Sequence, residues 1–220
     1  MINTSFLKKA VCSIKAQSHY ELGRYLSKKY LQNVHRICIR AFLLGCTEPD
    51  KNPATYLKGS IRSAFLRGHN WESSQRYMQR IAGRLARRKK LRLPDYYTLG
   101  KLVHYTADAF TSAHNSSFPK NLPAHRQYET SLQRYFLSYL KTPSSCSIGT
   151  DSGIMETIRR SHEAYRRRPA DIRIDSEYCV AVTSAVVAAL FSRIPAPAEE
   201  PKGFSAKNGN YACIIPQYVV

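Results

Sequence analysis

Two pairs of side chains spaced four residues apart, His104/Asp108 and His125/Glu129, constrain this chain more than any other feature of its sequence. On a helix, residues four apart share a face, so each pair can grip one cation from one side. His114 lies between them, and all five residues fall within Leu99 to Glu129. Imidazole combined with carboxylate is a donor set that suits zinc.

Three residues upstream extend the set. Asp50 sits in LLGCTEPDKNP, read as a turn opened by Pro49 and closed by Pro53. His69 sits in LRGHNWESSQRYM, a break just before a helical run, and His19 sits at the head of HYELGRYLSKKY, where it also reads as the start of a helix. The two remaining histidines, His35 and His162, lie in basic helical runs and read as members of solvated faces.

Taken in order, His19, Pro49-Asp50, His69, the H-x3-D-x5-H run His104/Asp108/His114 and the H-x3-E pair His125/Glu129 resemble the bacterial zinc-dependent phospholipases C. The likeness covers Ser18 to Tyr135 and is strongest in LGKLVHYTADAFTSAHN. It implies an all-α, single-domain, multi-helix bundle of the phospholipase C/P1 nuclease type, with a cluster of two or three zinc ions between helices. It also implies that Asp50, His69, His104 and Asp108 surround a first zinc, that His114, His125 and Glu129 hold a second, and that His19 and a bridging Asp108 serve a third. Secreted members complete that third site with a tryptophan at the mature N-terminus. Here the only tryptophan is Trp71, so the expectation is that water, Glu21 or His35 stands in, or that two metals bind.

The chemistry follows from the donor types alone. Hydrolysing a phosphodiester brings a hydroxide against a shielded anion, and metal ions both acidify a bound water and draw charge from the phosphoryl oxygens. Zinc sites in proteins lower the pKa of bound water to about 7, so zinc-bound hydroxide is available near neutrality. Asp50 is expected either to bind metal or to orient the attacking water as a base.

With 220 residues and 43% hydrophobic content, the chain is long enough for one well-buried core. Its apolar residues recur at three- and four-residue spacing over Ser18 to Leu44, Pro53 to Leu66, Ser73 to Leu91, Asp95 to Thr111, His125 to Leu140, Ser152 to Arg167 and Asp175 to Arg193, which predicts seven helices. The intervening CTEPDKNP, RLPD, NSSFPKNLP and KTPSSCSIGTDSG read as turns and loops. A catalytic domain over residues 1–194 and a proline- and glycine-containing tail over 195–220 are expected. The loop from His114 to His125 is expected to cross the mouth of the site. Tyr105, Phe110 and Phe118 are near enough in sequence to line a pocket, although plain core packing suits each of them better.

A net charge of +19, with bases gathered in RIAGRLARRKKLRL, IRRSHEAYRRRPADIR and LSKKY, attracts polyanions. An anionic membrane surface fits a phospholipid substrate; nucleic acid fits on charge, with fifteen tyrosines available for stacking on bases. The six cysteines show no C-x2-C pairing, so neither a disulfide framework nor thiolate metal sites are expected, and residence in the cytoplasm or at the inner membrane surface follows as the default. The first residues do not read as a removable signal peptide. The apolar run Tyr178 to Phe191, at fourteen residues, falls short of the approximately 20 needed to span a bilayer and reads as a buried helix.

The reading that combines these observations is a zinc-dependent phosphodiester hydrolase of the phospholipase C type, releasing diacylglycerol and a phosphorylated headgroup. A nuclease of the P1/S1 type is the alternative enzyme; it usually closes its second site with H-x3-D, where this chain has H-x3-E. A non-catalytic basic protein that binds nucleic acid or membrane is the alternative outside enzymes.

Overall fold

The computed structural model describes residues 4–51, 71–115, 118, 122–143, 148–149 and 152–192, with side chains from Ala16 onward. Seven α-helices and one 3-10 turn make up the described residues, and no strand is among them. They are α1 (Thr4–Tyr30), α2 (Arg36–Lys51), α3 (Trp71–Ala86), α4 (Leu93–Ala109), the 3-10 turn (Ser112–His114), α5 (Leu122–Tyr139), α6 (Ile154–Arg166) and α7 (Ile172–Ser192). The all-α expectation is met. The helix expected over Pro53 to Leu66 and the tail over 195–220 lie outside the described residues.

Two helices are buried along most of their length and organise the rest. Both faces of α4 are buried, and the helix packs against α1, α2, α3 and α7. It starts where Pro94 presets the first turn and where the Asp95 carboxylate accepts the Arg92 backbone N–H at 3.0 Å. Residue α7 positions from Cys179 to Leu190 are almost all buried, and the helix packs against α1, α4, α5 and α6. Among the described residues it is the one helix long and apolar enough to cross a membrane, yet 72% of its apolar window is buried inside the protein. The expectation of a buried core helix holds: the helix expected over Asp175 to Arg193 runs from Ile172 to Ser192.

Three expectations need correction. The helix read over Ser18 to Leu44 is two helices, parted at residues 31–35. Leu26, Leu31, Val34 and Cys38 are all buried across the break, so apolar spacing runs through it unchanged. The Ile37 backbone N–H donates to His35 Nδ1 at 3.3 Å and so caps the start of α2. The turn read around Asp50 is instead part of α2, with Pro49 inside the helix at the loss of one backbone bond. Finally, Cys38 is disulfide-bonded, against the expectation that the cysteines form no bridges. Sequence spacing is blind to such a pairing, because a bridge needs only that folding bring two Cα atoms within about 4.4–6.8 Å. The remaining described thiols, Cys46 and Cys179, are free and buried, and burial pushes their pKa values up into the inert range.

Candidate metal centre

The site begins with a close crossing of α2 over α4. Gly45 and Gly100 face each other there: a Cβ on Gly100 would overlap the Phe42 carbonyl oxygen, and a Cβ on Gly45 would overlap that of Tyr97. Two glycines allow the helix backbones to touch. About one turn further along each helix, that proximity brings Asp50 of α2 beside His104 of α4, and Asp108 follows one turn after His104.

His104 is fully buried, and its Nδ1 lies 2.9 Å from the Cys46 carbonyl oxygen. A carbonyl only accepts, so Nδ1 carries a proton and donates, which leaves Nε2 facing Asp108 Oδ2 at 3.2 Å. From α1, His19 Nε2 approaches Asp108 Oδ1 at 3.2 Å, and the His19 and His104 rings lie 4.0 Å apart. Asp50 oxygens stand 3.9 Å from the Nε2 atoms of both histidines. Burial pushes the Asp108 carboxyl up, but the imidazoles of His104, His114 and His19 prevail and hold it well below the usual carboxylate range.

The second group joins the 3-10 turn to α5. Glu129 Oε1 lies 2.9 Å from His125 Nε2, its i−4 neighbour on α5, and 3.2 Å from His114 Nε2. The groups meet through His114, whose Nδ1 stands 4.0 Å from Asp108 Oδ1. Two sets of donor atoms, His19/His104/Asp108 and His114/His125/Glu129, each lie within 4.8 Å of one another.

Sequence reasoning missed what holds the 3-10 turn in place. Asp175, on the first turn of α7 and 1% exposed, accepts from the Ser112 backbone N–H (2.8 Å), the Ser112 hydroxyl (2.8 Å), the Tyr165 hydroxyl (2.7 Å) and the Tyr128 hydroxyl (2.9 Å). Asn115, just after the turn, donates to the Ala109 and Thr111 carbonyls and accepts from His162 Nε2 at 2.9 Å. His162 therefore belongs to the core, not to a solvated face: it is 1% exposed and stacked on Trp71 with ring centroids 4.0 Å apart. Its spacing from Ile158 and Tyr165, both buried on the same face of α6, was the available signal.

A cleft of about 70 Å³, half open to solvent, adjoins both groups. Asp108, His114 and Glu129 form one side of it, and Leu22, Leu132, Phe136 and Cys179 form an apolar wall. Tyr105, Phe110 and Phe118 do not line it. Tyr105 packs edge-on against Tyr77 and His104, Phe110 stacks on Tyr178, and Phe118 meets the rings of His125 and Tyr128. Neither Glu21 nor His35 joins the donors: Arg24 engages Glu21 at 3.2 Å, and His35 caps α2. His69 lies outside the described residues.

The donor sets fit zinc by three observations. Tetrahedral zinc with ligands at about 2.0–2.1 Å separates its donor atoms by about 3.3 Å, and the pairs facing Asp108 and Glu129 are 2.9–3.2 Å apart. With Nδ1 committed to the Cys46 carbonyl, His104 presents Nε2 to Asp108 Oδ2 at 3.2 Å, so a nitrogen and a carboxylate oxygen converge where one cation could be shared. Asp108 also lies in the last turn of α4 and is 4% exposed, so positive charge is needed there to offset both burial and the negative end of the helix dipole.

Comparison with known proteins agrees with this geometry. No curated protein and no solved structure gives a match. A family profile described as zinc dependent phospholipase C matches residues 17–191, which takes in every described candidate ligand and extends through α6 and α7. With most of its length matched, the chain belongs to the zinc-dependent phospholipase C family.

Proposed function

We propose that the protein hydrolyses the phosphodiester bond of a phospholipid between glycerol and phosphate, leaving diacylglycerol and a phosphorylated headgroup. The observation that carries this reading is the pair of histidine–carboxylate groups joined through His114 and Asp108 at the edge of a cleft with one apolar wall. His19, His104, Asp108 and Asp50 would hold one ion, and His114, His125 and Glu129 another. Bound zinc supplies positive charge against the phosphoryl oxygens and a nucleophile near neutral pH. His104 keeps its Nε2 donor face fixed through the Cys46 carbonyl, and Glu129 orients the imidazoles of His114 and His125 toward one point. Asp50, set back at 3.9 Å from the two histidines, is placed either to complete the ligand set or to take a proton from the attacking water. The wall of Leu22, Leu132 and Phe136 suits the glycerol and proximal acyl carbons better than it suits a nucleoside.

The basic surface supplies a docking chemistry for the same substrate. Arg76, Arg80, Arg84, Arg87 and Arg88 are exposed at three- and four-residue spacing along and just beyond α3, with Glu72 as the only acidic residue of that helix. Such a stripe attracts anionic lipid headgroups.

Metal analysis by mass spectrometry, with hydrolysis assays on phosphatidylcholine and on single-stranded DNA, tests the proposal. The expected result is bound zinc and lipid turnover that His104→Ala abolishes. Turnover of DNA alone would replace the reading with a nuclease, and protein that takes up no zinc and gains no activity on reconstitution would leave a binding protein.

A further inference from the structure

A buried carboxylate persists only where hydrogen bonds replace the water it has lost, and Asp175 has four such bonds from three different elements. Each oxygen receives two. Oδ1 accepts from the hydroxyls of Ser112 and Tyr165, and Oδ2 accepts from the Ser112 backbone N–H and the Tyr128 hydroxyl. Ser112 lies two residues before His114 in the 3-10 turn, and Tyr128 immediately precedes Glu129 on α5. One carboxylate on α7 thus ties together both segments that contribute His114, His125 and Glu129. Among the described residues, none of its hydrogen bonds reaches the other group, whose residues are carried by α1, α2 and α4.

We infer that Asp175 is a positioning residue for the His114/His125/Glu129 group, setting the distance between the 3-10 turn and α5 on which binding of an ion there depends. The inference rests on the metal reading of that group. Four donors aimed at an anion are charge-assisted bonds, about twice as strong as neutral ones. An amide in the same place keeps the shape but loses the charge, and it turns two of its own donors toward groups that now donate. The turn and α5 are then free to separate by tenths of an ångström, enough to degrade a tetrahedral site while the helices remain packed.

The test is zinc affinity, measured separately for each group in the full chain by competition with a chromophoric chelator. In a His104→Ala background, where only the second group is intact, Asp175→Asn is expected to weaken zinc about 10- to 100-fold, the effect of removing a hydrogen-bond partner that orients ligands. In a Glu129→Gln background, where only the first group is intact, the same change is expected to leave zinc affinity within about twofold. Tyr128→Phe, which removes one of the four bonds and is milder toward folding, is expected to act in the same direction on the same group. Equal losses in both backgrounds would make Asp175 a general stabiliser and overturn the inference, as would no loss in either. A parent chain that binds no zinc would instead overturn the metal reading itself, and this inference with it.

Discussion

The two halves of the candidate centre are built in opposite ways. His19, Asp50, His104 and Asp108 are carried by the long helices α1, α2 and α4 and are 8% exposed or less, and backbone contact at Gly45 and Gly100 brings the α2 and α4 members together. His114, His125 and Glu129 are less deeply buried, and one of them stands on a three-residue turn held from a distance by Asp175, Asn115 and His162. The first half is positioned by packing and the second by hydrogen bonds. Packing fails through steric overlap, and hydrogen bonds fail through an unsatisfied donor or a change in protonation. The two halves should therefore respond to different perturbations.

Gly100→Val should separate them most sharply. Its side chain would drive into the α2 backbone, where no flexible group can yield, and overpacking of this kind costs about 3 kcal/mol or more. The melting temperature should fall by about 6–12 °C, and zinc should be lost first from the His19/His104/Asp108 group. Loss confined to the other group would contradict the division drawn here.

A pH titration probes the hydrogen-bonded half. Burial, aided by the nearby Arg166 charge, lowers the His162 pKa to about 4, from an unfolded value near 6.5. Between these values the unfolded chain binds more protons than the folded one, so stability falls as pH drops from about 6.5 toward 4. Denaturant unfolding of His162→Gln and the parent across this range should give a flatter profile for the variant. Parallel profiles would mean that His162 contributes nothing to the acid response.

The smallest effect should come from the stripe on α3, which belongs to neither half. Arg80→Ala should weaken binding to vesicles containing phosphatidylserine by about fivefold, equivalent to about 1 kcal/mol, with zinc affinity unchanged. A change in zinc affinity would tie α3 to the centre.

What could be read in the sequence follows the same division. Helical spacing revealed the elements bearing His104/Asp108 and His125/Glu129, because a ligand pair at i and i+4 reports its own geometry. The order of ligand types carried the family, and the profile over residues 17–191 agrees with it. Spacing was silent about Gly45 and Gly100, whose role exists only between helices, and about Asp175, which lies 63 residues from the Ser112 it holds. It misplaced the boundary between α1 and α2 because Leu31 and Val34 keep the apolar rhythm through the break. It put Asp50 in a turn because Pro49 is a strong local breaker, whereas contact along α4 carries the helix past it. The disulfide at Cys38 removes the argument that cysteine usage made for a reducing compartment.

The placement of Asp175 also fixes how little of this chain can be cut away. All the candidate ligands lie between His19 and Glu129, yet a segment ending after α5 would lack the carboxylate that gathers the 3-10 turn and α5, together with the helix that fills the centre of the core. A centre positioned in this way would not be portable as a short peptide: the smallest unit expected to hold it includes α7, more than forty residues beyond the last donor atom.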